Sequence, residues 1–140
     1  MRVPSWVTGP VEYRVNGQIA ATGQPGSYVA IKRTWADGDK LSFSLPAGFR
    51  LTKYVGEAAI EGHDRFAIEY GPILLAVAGE LGNPIPVQIP QDPDQVSEWL
   101  MPVGHQPLHF RAEGLDSHEI LPYLHLDDDQ PFTSYPAIGH

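Results

Sequence analysis

The sequence predicts an all-β chain: a two-sheet antiparallel β-sandwich of jelly-roll or Greek-key type, with at most one short helical turn. Three observations lead there. Apolar residues recur with the two-residue side-chain period of strands, as in Val11, Tyr13 and Val15 alternating with Glu12 and Arg14. The 14 glycines and 14 prolines in 140 residues break the chain into short runs separated by turns. A helical candidate shows in one place, where Asp94 can cap a turn running to Trp99.

Taken in order, Val3 to Trp6 is an edge segment held extended by Pro4. The run from Val11 to Val15 meets Asn16-Gly17, a pair that tolerates the positive φ of a type I′ hairpin turn, and a weaker return strand follows around Gln18 to Ala21. Thr22 to Gly26 is a second turn. The stretch from Gly26 to Pro46 reads as an antiparallel pair. Val29, Ile31 and Trp35 share one parity, broken by Arg33, while Leu41, Phe43 and Leu45 oppose Ser42 and Ser44. Ala36-Asp37-Gly38-Asp39 turns between them, and Pro46, lacking an amide donor, ends the second run. Phe49, Leu51 and Val55 then face opposite Arg50, Thr52 and Tyr54.

Gly56 to Arg65 is polar and reads as a loop. Phe66, Ile68 and Tyr70 alternate, Gly71-Pro72 punctuates, and Ile73 to Ala78 is continuously apolar, as expected of a strand covered on both faces in mid-sheet. Pro84, Pro86, Pro90 and Pro93 mark a connector over about residues 83–95. Leu108, Phe110 and Ala112 form another strand, and Ile120 to Leu126 one interrupted by Pro122, hence edge-like or bulged. Asp127-Asp128-Asp129 is a turn before a last short strand from Phe132 to Tyr135. Roughly nine or ten short strands spaced this way suggest one β-sandwich domain spanning 1–140.

The formal net charge is -8, a diffuse acidic balance that argues against nucleic acid or an anionic membrane as partner, since both reward a basic face. With no cysteine, the chain can make no disulfide, no thiolate zinc site and no cysteine nucleophile. No apolar run approaches the ~20 residues of a membrane-spanning helix. The start, Met1 to Trp6, has no apolar signal core and enters a strand pattern at once, as though cut from something longer.

Reactive constellations are sparse. No two of the six histidines are spaced i, i+4 within a predicted helix, as a zincin site needs, since His105 and His109 fall in a loop-to-strand stretch; His109 and His125 meet only if their strands are neighbours. The aspartate triplet lacks the spaced ligand order of a calcium loop. Glu57, Glu61, Asp64 and Glu69 are near in sequence, but glycoside hydrolysis needs two carboxylates that converge. No serine sits in a Gly-x-Ser-x-Gly elbow. Neither a catalytic nor a metal-binding residue is assigned, and no cofactor is expected. Aromatic faces suit the apolar face of a sugar ring, which makes Trp99, Tyr123 and Tyr54 candidate ligand contacts, while Trp6 and Trp35 fit core positions.

The order of short motifs carries a further signal. Pro4-Ser5-Trp6, Val15-Asn16-Gly17, Gly26-Ser27-Tyr28 with Ile31, Arg33, Trp35 and Gly38-Asp39, Leu45-Pro46 with Arg50, and Ala67 to Leu74 form one series. Trp99-Leu100 with Pro102, Pro107-Leu108 with Phe110-Arg111, Leu121-Pro122-Tyr123, and Phe132-Thr133 with Tyr135 continue it. Together they resemble the C-terminal β-sandwich that follows the catalytic barrel in glycoside hydrolase family 127, the group containing β-L-arabinofuranosidases. The resemblance implies a parent enzyme whose (α/α)6 barrel carries the chemistry, with a cysteine nucleophile and a cysteine-rich zinc site. Neither can be carried over to a chain without cysteine. It implies a non-catalytic accessory module, inactive alone, whose partner is the parent's barrel and whose exposed docking face could also support a homo-oligomer. A carbohydrate-binding module for plant-type oligosaccharides is the alternative.

Overall fold

The computed structural model describes residues 1–57, 61–79, 89–90 and 92–139. Among the described residues the fold is mostly β, with two antiparallel sheets, one short α-helix and one 3-10 turn. The chain divides into two compact units, Met1–Gly48 and Phe49–His140, each with its own sheet and its own apolar cluster. No described helix is long and apolar enough to cross a membrane.

In the first unit, β1 (Val11–Val15) and β2 (Gln18–Gly23) form the expected hairpin. Asn16 at φ 51° and Gly17 at φ 83° supply its two left-handed turn residues. The alternation holds: Val11, Tyr13 and Val15 are buried while Glu12 and Arg14 face water. Val3, Val7, Val11, Tyr13 and Val29 close a small core, with Trp6, Ala21, Ile31 and Leu45 packed against it.

The antiparallel pair expected over residues 26–46 does not form. Its turn does, with the Asp39 amide donating to the Ala36 carbonyl and Gly38 at φ 84°. The limb before it is no strand. Tyr28 bridges to Arg2, and the Val29 amide donates to Met1, so that limb is tied to the N-terminal segment instead. The limb after it contributes only β3 (Leu41–Ser42), which takes the free edge of β1 with Val15 opposite Leu41. Asn16 fixes this choice: its side chain donates to Asp39 Oδ1 (2.7 Å) and accepts from the Lys40 amide (2.9 Å), clamping the second turn onto the hairpin loop.

The second unit holds β4 (Phe49–Lys53), β5 (His63–Tyr70), β6 (Ile73–Ala78), α1 (Pro93–Trp99), β7 (Leu100–Pro102), β8 (Phe110–Ala112), β9 (Glu119–Pro122), β10 (Phe132–Thr133) and β11 (Ala137–Gly139). The sheet order is β11-β5-β6-β9-β8-β7, with β4 on β5 and β10 on β6. As expected, β6 runs mid-sheet, between β5 and β9, and its last four residues are buried. Ile68, Leu75, Val77, Val96, Leu100, Phe110, Leu115 and Ile120 belong to the core beneath it. Each such side chain contributes about 1.5–3 kcal/mol through removal from water.

Several boundaries differ from the sequence expectation. β5 starts at His63, inside the polar stretch read as a loop, because cross-strand partners on β4 and β11 hold it extended. β4 stops at Lys53, leaving Val55 exposed. Asp92, not Asp94, caps α1: its carboxylate accepts the Asp94 amide at 2.9 Å, and Pro93 takes the first helical position, where no donor is needed. Leu108 lies in the left-handed region at φ 61°, so its strand begins only at Phe110. Pro122 ends β9 rather than interrupting it, and Tyr123–His125 continue as a 3-10 turn. Nor is β9 an edge, since β6 and β8 flank it. Of the proline-rich connector, residues 83–88 and 91 lie outside the described residues; Ile89 is buried in the core.

Candidate functional site

The three aromatic candidates occupy three different settings. Trp99, at the end of α1, packs against the second unit's core, and its indole Nε1 donates to the Glu113 carbonyl at 3.2 Å. That bond satisfies the indole donor and fixes the ring as an anchor between α1 and the loop after β8. Tyr54 is half-buried, edge-on to Tyr135 with centroids 5.0 Å apart, and the Arg65 guanidinium lies 5.3 Å from its ring centre. Tyr123 is the most open of the three. It is 46% exposed and meets Phe132, itself 44% exposed, edge-on at 5.4 Å. Among the described residues no ring contact joins any two of the three candidates.

Among the described residues no three of the four acids gather. Asp64 and Glu69 lie five residues apart on β5, an odd spacing that puts them on opposite faces. Each meets a cation on β4: Asp64 with Lys53 at 2.7 Å, Glu69 with Arg50 at 2.8 Å. Hydrogen bonding from Arg50, with a further bond from the Thr52 hydroxyl (2.6 Å), holds the Glu69 carboxyl below its ordinary value. A glycosidase acid needs the opposite shift. A depressed carboxyl stabilises the fold above its unfolded pKa, near 4.5, and loses that contribution as pH falls through its lower folded value. Glu69→Gln is therefore expected to cost about 1 kcal/mol or less at neutral pH and nothing once the pH is well below 4. Urea titrations of both proteins at pH 7 and pH 3 check this; a pH-independent difference would refute it.

The first unit presents an apolar surface from a segment whose periodicity suggested burial. Trp35 is 49% exposed, Phe43 49% and Leu41 38%. The core position expected for Trp35 is corrected. Residues 29–35 form no strand, so two-residue parity does not govern which way the ring points. Its place is set by Arg33, whose guanidinium lies 5.3 Å from the ring centre and 3.1 Å from Asp39. Asp39 is held below the ordinary carboxylate range by the Ala36 amide first, then by the Asn16 amide and Arg33. Phe43 rests against Tyr13 at 5.1 Å. Its outer edge borders a shallow cavity of about 380 Å³ with Pro10, Ser44 and the ion pair Glu12–Arg14 (2.6 Å).

One contact was conditional in the sequence and is realised in the fold. His109, just before β8, and His125, closing the 3-10 turn, bring Nε2 and Nδ1 to 3.1 Å. Because β8 and β9 pair through Phe110 and Ile120, the flanks of both strands are neighbours. Among the described residues no group of three or more His, Cys, Asp or Glu is gathered for a metal. Asp127 to Asp129 form the expected exposed turn, with the Gln130 amide donating to the Asp127 carbonyl.

No curated protein and no solved structure matches the chain. A family model does, over residues 1–47: the one described as "Beta-L-arabinofuranosidase, GH127 middle domain". The match covers about a third of the 140 residues and ends one residue short of the first unit's boundary at Gly48. Over that unit, with its Asn16-Gly17 hairpin and exposed Trp35 and Phe43, the chain is GH127-like, similar to the middle domain of the β-L-arabinofuranosidase family.

Proposed function

We propose that this chain is a non-catalytic accessory β-module of a β-L-arabinofuranosidase-type glycoside hydrolase, and that it docks onto and supports an (α/α)6 catalytic barrel of the parent protein. The observation that carries this reading is the exposed apolar segment Trp35, Leu41 and Phe43, which falls inside the stretch similar to the family's middle domain. Large apolar side chains left in water within one short segment favour being covered. The Arg33–Asp39 pair lies against Trp35, a polar neighbour of the kind common at the border of protein interfaces.

The test is reconstitution of the chain with the separately expressed barrel of its parent. Binding should be seen, and Trp35→Ser with Phe43→Ser should weaken it about tenfold or more, as expected for truncated aromatic anchors. Because Phe43 rests on the buried Tyr13, melting temperatures of the variants are measured alongside, and Trp35→Ser alone, remote from that core contact, should weaken binding with an unchanged melting temperature. Without the barrel, the same face supports weak self-association that the same pair of substitutions reduces. A barrel that neither binds the chain nor changes its activity or melting temperature in its presence would overturn the reading.

Tyr123 and Phe132 favour a second reading, capture of carbohydrate, because two exposed rings in contact offer a stacking surface in the second unit. Titration with arabinose-containing oligosaccharides separates the two. Saturable shifts at Tyr123, lost in Tyr123→Ala, would establish sugar binding; a flat response across the panel would dismiss it.

A further inference from the structure

We propose that His109 and His125 form a two-imidazole chelate for a borderline transition-metal ion, with Cu²⁺ held more tightly than Ni²⁺ or Zn²⁺. The argument begins with the separation of the two nitrogens. Nε2 of His109 and Nδ1 of His125 lie 3.1 Å apart, joined by a single shared proton. A metal about 2.0–2.1 Å from each would see them at roughly 95–102°, between square-planar and tetrahedral angles. Replacing the shared proton by an ion turns the lone pair of each ring by about 40° away from the line between the two nitrogens, a rotation that the open side of the pair allows.

Both rings are held from their backbones. The His109 carbonyl accepts the Val103 amide at 2.9 Å, and the turn carrying His125 is closed by the Leu126 amide on the Tyr123 carbonyl at 3.3 Å. The rings are tilted by 34° with centroids 5.4 Å apart, so neither blocks the approach to the other's nitrogen. With Gln106 and Pro107 they line an open cavity of about 420 Å³, which leaves room for water to complete the coordination. Imidazole suits copper, nickel and zinc, and the ranking follows the general affinity order of divalent ions for nitrogen donors. The second imidazole adds affinity because it is already placed, a gain of about tenfold or more over one ring. The ion would tie the start of β8 to the turn that follows β9.

The test is titration of the whole chain with CuCl2, NiCl2 and ZnCl2 separately, followed by calorimetry and by proton NMR of the histidine rings. The expected result is one strong site per chain, with the His109 and His125 ring signals broadened first by Cu²⁺. The melting temperature should rise with Ni²⁺, since an ion bound only to the folded state stabilises it. His125→Asn keeps an amide donor and similar size, and it should weaken Cu²⁺ binding about tenfold or more while the metal-free melting temperature stays within a degree or two. His63→Ala should leave binding unchanged. Absence of binding by the wild-type chain, equal binding by the His109→Ala/His125→Ala double variant, or first broadening at another histidine would each overturn the proposal.

Discussion

Ile120→Ala is expected to destabilise the second unit by about 2–5 kcal/mol, the range for emptying a fully buried aliphatic position. Ile120 is 0% exposed and sits where the sheet is knitted together, opposite Val77 on β6 and opposite Phe110 on β8. β9 is paired with β6 over four residues as well as with β8 at Ile120 itself, so the backbone around the site is held on both sides and the cavity cannot collapse freely. Ile120→Val, which removes a single methylene, should cost only about 0.5–1.5 kcal/mol. Urea unfolding followed by amide hydrogen exchange across β6, β8 and β9 measures both. Equal costs for the two variants would mean that the site collapses freely and that the packing described for this core is wrong.

Gly23→Ala should also destabilise, against the usual direction. Replacing glycine by alanine within a strand ordinarily gains about 0.5–1 kcal/mol, because the unfolded glycine is freer. Here a Cβ would be driven into the Cγ2 methyls of Val3 and Val29, closer than real carbons approach. Both valines are buried and belong to the first unit's core, and β-branched side chains cannot swing aside. The expected cost is about 1–3 kcal/mol, the price of overpacking. Hydrogen exchange at the amides of β1 and β2 reads it directly, as faster exchange across the hairpin. Unchanged or slower exchange would show that Val3 and Val29 do not close over Gly23.

What could be read from the sequence was what short-range rules govern. Asn16-Gly17 specified a hairpin because few other residue pairs tolerate its dihedral angles. The apolar run from Ile73 to Ala78 specified a strand covered on both faces because no solvated face was offered. Alternation in Val11 to Val15 predicted which side chains are buried, and in Phe49 to Thr52 it predicted which are half-covered, though Val55, placed on the same face, is exposed. The motif order pointed to a family resemblance that the comparison supports over residues 1–47.

Partner choice was not legible, because it depends on residues far apart in the chain. Leu41-Ser42 had the pattern to pair with residues 29–35, yet the free edge of β1 and the Asn16 clamp took it. That choice leaves Trp35 outside, beside Arg33, and Phe43 half-exposed, and so creates the apolar surface on which the docking proposal stands. The same holds for the histidines. Sixteen residues separate His109 from His125, and nothing local brings them together. Residue types and their spacing determined the strands and turns of this protein. Only the long-range pairing of strand edges, settled by competition among several near-equivalent partners, decided which side chains meet and which stay in water.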